Sequence, residues 1–143
     1  MPESPARILF VCIENSCRSQ MAEGFARSLG GDRVDAASAG SRPSGRVNPR
    51  AIRFMRERGI DLRAHASKGL EELPGVSWDY VVTMGCGDAC PHLPTRHRLD
   101  WDLPDPKHLD DDAFRAARDR IEGLVKDLVA RATAPAGARE ERE

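Results

Sequence analysis

In Cys12-Ile13-Glu14-Asn15-Ser16-Cys17-Arg18-Ser19 a thiol and a guanidinium stand six residues apart, with Asn15 and Ser16 between them. A tight turn of this composition presents backbone N–H groups to its interior, and a helix starting at its far end adds the positive pole of its dipole. Such a cradle binds an anion. A cysteine at its mouth is favoured as the thiolate, the nucleophilic form. Arg18 adds a planar fork able to grip two oxygens of a tetrahedral oxyanion. The implied chemistry is attack by Cys12 on a bound phosphate-like anion, with Ile13, Glu14, Asn15, Ser16, Cys17, Arg18 and Ser19 as the oxyanion loop. Cys17, inside the cradle, reads as a structural thiol.

The flanking sequence supplies the strand and helix that such a loop needs. Ile8-Leu9-Phe10-Val11 is a short apolar run, so residues 7–12 read as a strand. Met21, Ala22, Phe25, Ala26 and Leu29 recur at helical spacing, which predicts a helix over 18–29, stopped by Gly30-Gly31-Asp32. Residues 34–40 form a second strand whose small side chains let another backbone approach. Asn48 caps a helix opened by Pro49, which runs to about Arg58 and ends at Gly59. A connector over 60–68 and a helical turn from Leu70 to Leu73 precede a third strand at 80–84 and a short fourth at 98–101. Asp110, Asp111 and Asp112 suit the start of a last helix, and Phe114, Ala117, Ile121, Leu124, Val125 and Leu128 give it one apolar face. Strands alternating with helices predict an α/β fold: a single domain over 1–132 with a four-stranded parallel sheet flanked by helices on both faces. The tail, 133–143, is rich in Ala, Pro, Gly, Arg and Glu and is expected to be disordered. Ligands of such sheets bind beyond the carboxyl ends of the strands, where Cys12, Cys86 and the loop carrying Asp105 converge.

Composition narrows the function. The chain has 143 residues, and 22 Lys and Arg against 23 Asp and Glu leave a net charge of −1, which argues against nucleic-acid or anionic-membrane binding. Nothing resembles a DNA-reading helix or a basic stripe. The apolar run after the polar N-terminus is too short for a signal peptide's core, and no stretch reaches the roughly 18 apolar residues of a membrane helix, so a cytoplasmic protein is expected, with a monomer as the default. Its four cysteines are then reduced at rest and suited to catalysis or metal binding. Cys86-x3-Cys90-Pro-His92, with His97 nearby, has tolerable zinc spacing, but beside the cradle the expectation is no metal and no cofactor. The scattered histidines and the two tryptophans, Trp78 and Trp101, read as packing or surface residues.

Residues 11–23, Val-Cys-Ile-Glu-Asn-Ser-Cys-Arg-Ser-Gln-Met-Ala-Glu, resemble the low-molecular-weight protein tyrosine phosphatase superfamily, and within it the thioredoxin-coupled arsenate reductases. Ser38-Ala-Gly40, Val47-Asn-Pro-Arg-Ala-Ile52, His65-Ala-Ser-Lys68, Val81-Val-Thr-Met-Gly-Cys-Gly-Asp-Ala-Cys-Pro91 and Trp101-Asp-Leu-Pro-Asp-Pro106 extend the likeness over about residues 6–130. The resemblance implies that Cys12 attacks arsenate while Arg18 and the loop amides stabilise the charged transition state. It makes Asn15 a brace of the loop, Ser19 a hydrogen-bond donor to the Cys12 thiolate, and Asp105 the general acid for the departing oxygen. It further implies a relay: Cys86 attacks the Cys12 adduct, Cys90 then takes over the disulfide, and thioredoxin reduces the Cys86–Cys90 pair. Gly85 and Gly87 suit the movement this requires.

Two departures from the family pattern stand out. Only three residues separate Cys86 from Cys90, a short gap for a pair whose Cα atoms must come within roughly 7 Å. Some members hold potassium beside the loop. Glu23 and Ser38 match that site, but its third position carries Lys68, whose ammonium is expected to support the loop in place of the cation. Two other functions fit parts of the pattern. A phosphatase would hydrolyse a Cys12 phosphoenzyme without using Cys86 or Cys90, but the single tyrosine, Tyr80, lies in a strand rather than beside Asp105-Pro106. A sensor would trap an oxyanion or arsenite on its thiols without turnover.

Overall fold

The computed structural model describes residues 4–73, 77–85 and 93–134. In chain order the elements are β1 (Ala6–Cys12), α1 (Arg18–Gly30), β2 (Val34–Gly40), α2 (Pro49–Arg56), β3 (Trp78–Thr83), β4 (Thr95–Asp100) and α3 (Asp111–Ala132). Short 3-10 turns lie at Gly31–Arg33, Leu70–Glu72 and Pro106–His108.

The four strands form one parallel sheet in the order β2-β1-β3-β4. β1 is central because its Ile8, Leu9, Phe10 and Val11 are all fully buried, as a strand covered on both faces must be. Its period-2 alternation divides them. Ile8, Phe10 and Cys12 enter the larger core with Met21, Phe25, Phe54, Phe114, Ile121 and Val125 of the three α-helices. Leu9 and Val11 meet Val81, Trp78 and, from the 3-10 turn and its surroundings, Leu70 and Leu73. Helical segments thus cover both faces, the second with a single turn. α1 packs along α3. From β1 the chain passes to β2 on one side and later to β3 on the other, so the carboxyl end of β1 is the switch point where α/β sheets bind ligands.

Register brings that end together. Cys12 pairs with Gly40, Val11 with Thr83, and Thr83 with Asp100. The predicted close backbone approach falls at Gly40, where a Cβ would stand 2.5 Å from the Ile13 carbonyl oxygen.

Asn48 caps its helix as expected, and Asp110, expected only as part of an acidic helix start, proves to be a cap as well. Asn48 Oδ1 accepts from Arg50 N at 2.8 Å, and Asp110 Oδ1 from Ala113 N at 2.8 Å. α2 stops at Arg56, two residues before the expected end, and a turn closed by Gly59 at φ 74° follows. β3 and β4 both begin earlier than their apolar residues indicate, at Trp78 and Thr95. β4 is an edge strand whose residues alternate between half-buried and exposed, so Thr95-Arg-His-Arg98 carries no apolar run to reveal it. α3 ends at Ala132 with Thr133 as its C-cap, and residues 135–143 of the expected tail lie outside the described residues.

Candidate active site

Residues 13–17 link β1 to α1, and every carbonyl from Cys12 to Cys17 is engaged from outside the loop. Ser41 N reaches Cys12 O at 3.3 Å, Arg42 N reaches Ile13 O at 2.8 Å, Ser44 N reaches Glu14 O at 3.0 Å and Asn48 N reaches Ser16 O at 2.9 Å. Gln20 Nε2 takes Asn15 O at 3.1 Å, and Met21 N takes Cys17 O at 2.9 Å. With its carbonyls turned outward, the loop keeps its N–H side toward Cys12, and Asn15 N donates to Cys12 Sγ at 3.3 Å. Asn15 makes this turn at φ 52°, a left-handed conformation that asparagine tolerates better than most residues.

A chain of hydrogen bonds fixes the sulfur's surroundings. Asn15 Oδ1 accepts from Lys68 N at 2.9 Å and from Gln20 Nε2 at 3.0 Å, so the amide's NH2 must point the other way. That NH2 donates to Ser19 Oγ at 2.8 Å. The Ser19 hydroxyl proton is therefore free for Cys12 Sγ, 2.8 Å away, where it stabilises a thiolate. Asn15 and Ser19, for which the resemblance implies a brace and a donor, lie within hydrogen-bond reach of each other and of Cys12. Gln20 is an addition: fully buried, it also donates to Ala66 O at 2.9 Å and accepts from His65 Nδ1 at 3.0 Å. Because Gln20 Oε1 can only accept, neutral His65 carries its proton on Nδ1. Burial holds His65 below the usual imidazole range against the opposing pull of Glu23. Gln20, directly after Ser19 within the matching stretch 11–23, was the available signal for this support. His65 falls in the His65-Ala-Ser-Lys68 stretch of the likeness, but its residue type alone did not point to this contact.

Arg18 is 5% exposed and opens α1. Its Nη1 donates to Leu103 O at 2.8 Å, and its Nη2 lies 3.9 Å from Asp105 Oδ2. Leu103 and Gly85 are contacts the sequence did not reveal: a Cβ on Gly85, at φ 75°, would stand 2.6 Å from Arg18 Nη1. Asp105 caps the 3-10 turn at Pro106, with Oδ1 accepting from Lys107 N at 3.1 Å. Cys12, Arg18 and Asp105 are therefore brought together at one sheet edge. Cys86 and Cys90, with His92 of the zinc alternative, lie outside the described residues. Among the described residues no cluster suited to a metal occurs.

Cys17 is buried, and burial first, then the charge of Asp105, pushes its thiol up to about 12, so it stays protonated. This suits a structural thiol beside a reactive one. Beneath the loop, Glu23 is almost fully buried and already answered: Ser38 Oγ donates to it at 2.5 Å, Arg27 Nη2 lies at 2.9 Å and Lys68 Nζ at 3.9 Å. With two cations on one carboxylate, these residues do not fit a potassium site. Lys68 therefore meets the loop through its N–H on Asn15 and α1 behind it through its ammonium on Glu23.

The sequence model for the low molecular weight phosphotyrosine protein phosphatase family matches residues 7–136. Over 128 residues the chain is 38% identical to a glutaredoxin arsenate reductase of Synechocystis sp., covering 87% of this chain and 97% of that one. It is 42% identical over 123 residues to arsenate reductase 1 of Staphylococcus epidermidis, covering 83% and 92% of the two chains. A solved structure described as an arsenate reductase in the phosphate binding state superposes with a TM-score of 0.79 at 37% identity, covering 89% of this chain and 98% of the other.

Proposed function

This chain belongs to the low molecular weight phosphotyrosine protein phosphatase family, and we propose that it is an enzyme reducing arsenate to arsenite through a thiol relay that starts at Cys12. One observation carries the proposal: Cys12 Sγ, held by the Ser19 hydroxyl, shares a sheet edge with a buried Arg18 whose fork lies beside the Asp105 carboxyl. The relatives named arsenate reductases, aligned along nearly their whole lengths, support the substrate.

The Cys12 thiolate attacks arsenic, a sulfur–arsenic bond forms, and one arsenic–oxygen bond breaks. Asp105 gives its proton to the departing oxygen, which leaves as water. Arg18 and the loop N–H groups hold the remaining oxygens as charge builds. Cys86, as thiolate, then attacks Cys12 Sγ. The sulfur–sulfur bond forms while the electron pair of the sulfur–arsenic bond stays on arsenic, which leaves as arsenite. The two electrons gained by arsenic come from the two thiols. Cys90 displaces Cys12 from this disulfide, and a dithiol protein restores the Cys86–Cys90 pair. Thioredoxin is the reductant the sequence pattern favours, and glutaredoxin is the reductant in the name of one relative. Gly85 against Arg18 supports the relay, because the chain leaves for residue 86 from beside the oxyanion's own arginine. We place the protein as a monomer in the cytoplasm, where thiols stay reduced. No helix among the described residues is long and apolar enough to cross a membrane.

The runner-up is a phosphatase using the same cradle. Tyr80 is buried in β3 and stacked on His97, so it does not serve as a wall for an aromatic phosphoester. A Cys86→Ser variant separates the two readings. Under the relay it loses multiple-turnover arsenate reduction and keeps hydrolysis of aryl phosphates. Arsenate turnover unaffected by the substitution contradicts the relay.

A further inference from the structure

We propose that the Glu14–Lys107 ion pair is a latch across the mouth of the site, in which Lys107 is a positioning residue that neutralises the oxyanion loop and ties the Asp105 loop to it. The proposal rests on the reading of Cys12 and Asp105 given above. Lys107 Nζ donates to Glu14 Oε2, and the two side chains are about equally half-buried at 29% and 33% exposure. Each is anchored away from the other. The Glu14 carbonyl accepts from Ser44 N at 3.0 Å and Ser67 Oγ at 2.9 Å. The Lys107 carbonyl accepts from Arg50 Nη1 at 3.2 Å, and Arg50 Nη2 is itself held by Asp111 at 3.0 Å. The pair is thus a strut between two fixed points rather than a contact between free chain ends.

Two physical consequences follow from this placement. First, a carboxylate two residues after Cys12, on the loop that receives an anion, repels that anion. Glu14 follows Cys12 by two residues, a backbone span of at most about 7 Å, which is shorter than a Debye length of about 8 Å to 10 Å, so salt screens the repulsion only in part. Lys107 answers that charge at its source, and the ammonium in turn is held charged by Glu14. Second, Lys107 fixes Asp105 through its backbone. Its N–H occupies Asp105 Oδ1, leaving Oδ2 on the side of Arg18. The ammonium on Glu14 keeps that geometry registered to the loop carrying Cys12. Binding and proton delivery are therefore coupled to one pair, and substitutions separate them by sign.

The test uses the full-length enzyme with two readouts. Inorganic phosphate binding is measured as protection of Cys12 from iodoacetate, read by mass spectrometry of the Cys12 peptide. Proton delivery is measured as the dependence of kcat on leaving-group acidity across aryl phosphates, because a displaced general acid matters most for poor leaving groups. Lys107→Met strips the partner from Glu14 and weakens phosphate protection by up to about fivefold, the range of an exposed pair. Glu14→Gln leaves protection equal or better, yet steepens the leaving-group dependence because the tether is gone. The double variant Glu14→Gln/Lys107→Met recovers phosphate protection while keeping the steep dependence, and the charge swap Glu14→Lys/Lys107→Glu restores the shallow one. A general loss of folding moves both readouts together and is not rescued by the swap. Additive losses of protection in the double variant, or an unchanged leaving-group dependence in all four, overturn the latch. Neither readout involves arsenate or Cys86. If arsenate reduction itself fails while these patterns hold, the relay is wrong and the latch stands.

Discussion

Ser19 Oγ sits 2.8 Å from Cys12 Sγ, and its proton is directed to the sulfur because the Asn15 NH2 already occupies its acceptor side. This geometry supports the proposed role of Ser19 as a hydrogen-bond donor to a Cys12 nucleophile. Removing it in Ser19→Ala withdraws a hydrogen bond to a charged group, which corresponds to about 10- to 100-fold in rate. The fall should appear in kcat for both arsenate reduction and aryl phosphate hydrolysis. Alkylation of Cys12 should require higher pH in the variant. An unchanged alkylation profile would assign Ser19 to packing alone.

Gly85 holds Arg18 in place by having no side chain. At φ 75°, with a would-be Cβ 2.6 Å from Arg18 Nη1, Gly85→Ala meets both backbone strain and a clash with the guanidinium. The strain alone is worth about 1 kcal/mol or more. Arg18 must move, so the KM for arsenate and the inhibition constant for phosphate rise together. Circular dichroism checks that the fold is intact, and unchanged phosphate inhibition in a folded Gly85→Ala protein would show that Arg18 has room to spare.

Cys17 and Cys12 are five residues apart in sequence. The Cys17 thiol ionises at about 12 in the fold against 9.0 ordinarily. At pH 8, iodoacetamide should label Cys12 and leave Cys17 unlabelled in the native protein, and label both after unfolding. The raised value also sets a sign for stability. Below about 9 the contribution is fully present, and it is lost as pH rises from about 9 toward 12, because only the unfolded thiol releases its proton there. Urea midpoints of the native chain should therefore fall more steeply over this interval than those of Cys17→Ser. Equal slopes would mean that Cys17 does not resist ionisation.

Much of this was readable in the chain. The Cys12-to-Ser19 stretch, the strand before it and the helix after it are contiguous, so the loop and its likeness to a family came directly from local sequence. The Asn48 cap and the acidic start of the last helix were legible for the same reason. What stayed hidden depends on long-range approach. Leu103 O on Arg18, Gly85 against the same guanidinium, and Lys107 on Glu14 join residues 85, 67 and 93 positions apart. The Thr95 end of β4 was missed because an edge strand needs no apolar run.

Lys68 makes a prediction about ions. Its ammonium lies 3.9 Å from Glu23 Oε1 on the site that potassium takes in some family members, with Arg27 on the same carboxylate. Arsenate turnover should be equal in potassium and sodium salts at fixed ionic strength. Lys68→Ala, which leaves Glu23 with Arg27 and the Ser38 hydroxyl, should lose activity and recover part of it with potassium. A clear preference of the unmodified enzyme for potassium would contradict this account of Lys68.

The most direct test of the central claim is arsenate-dependent NADPH oxidation. The purified enzyme is supplied with thioredoxin and thioredoxin reductase, beside a control without arsenate and a parallel arm with glutaredoxin, glutathione and glutathione reductase. Arsenate-dependent oxidation is expected, with arsenite accumulating in equal amount, fastest in the thioredoxin arm and abolished by Cys12→Ser. Oxidation only in the glutaredoxin arm would replace the reductant and keep the reaction. No arsenate-dependent oxidation in either arm, with aryl phosphate hydrolysis intact, would contradict the reductase and leave the Cys12 cradle as that of a phosphatase.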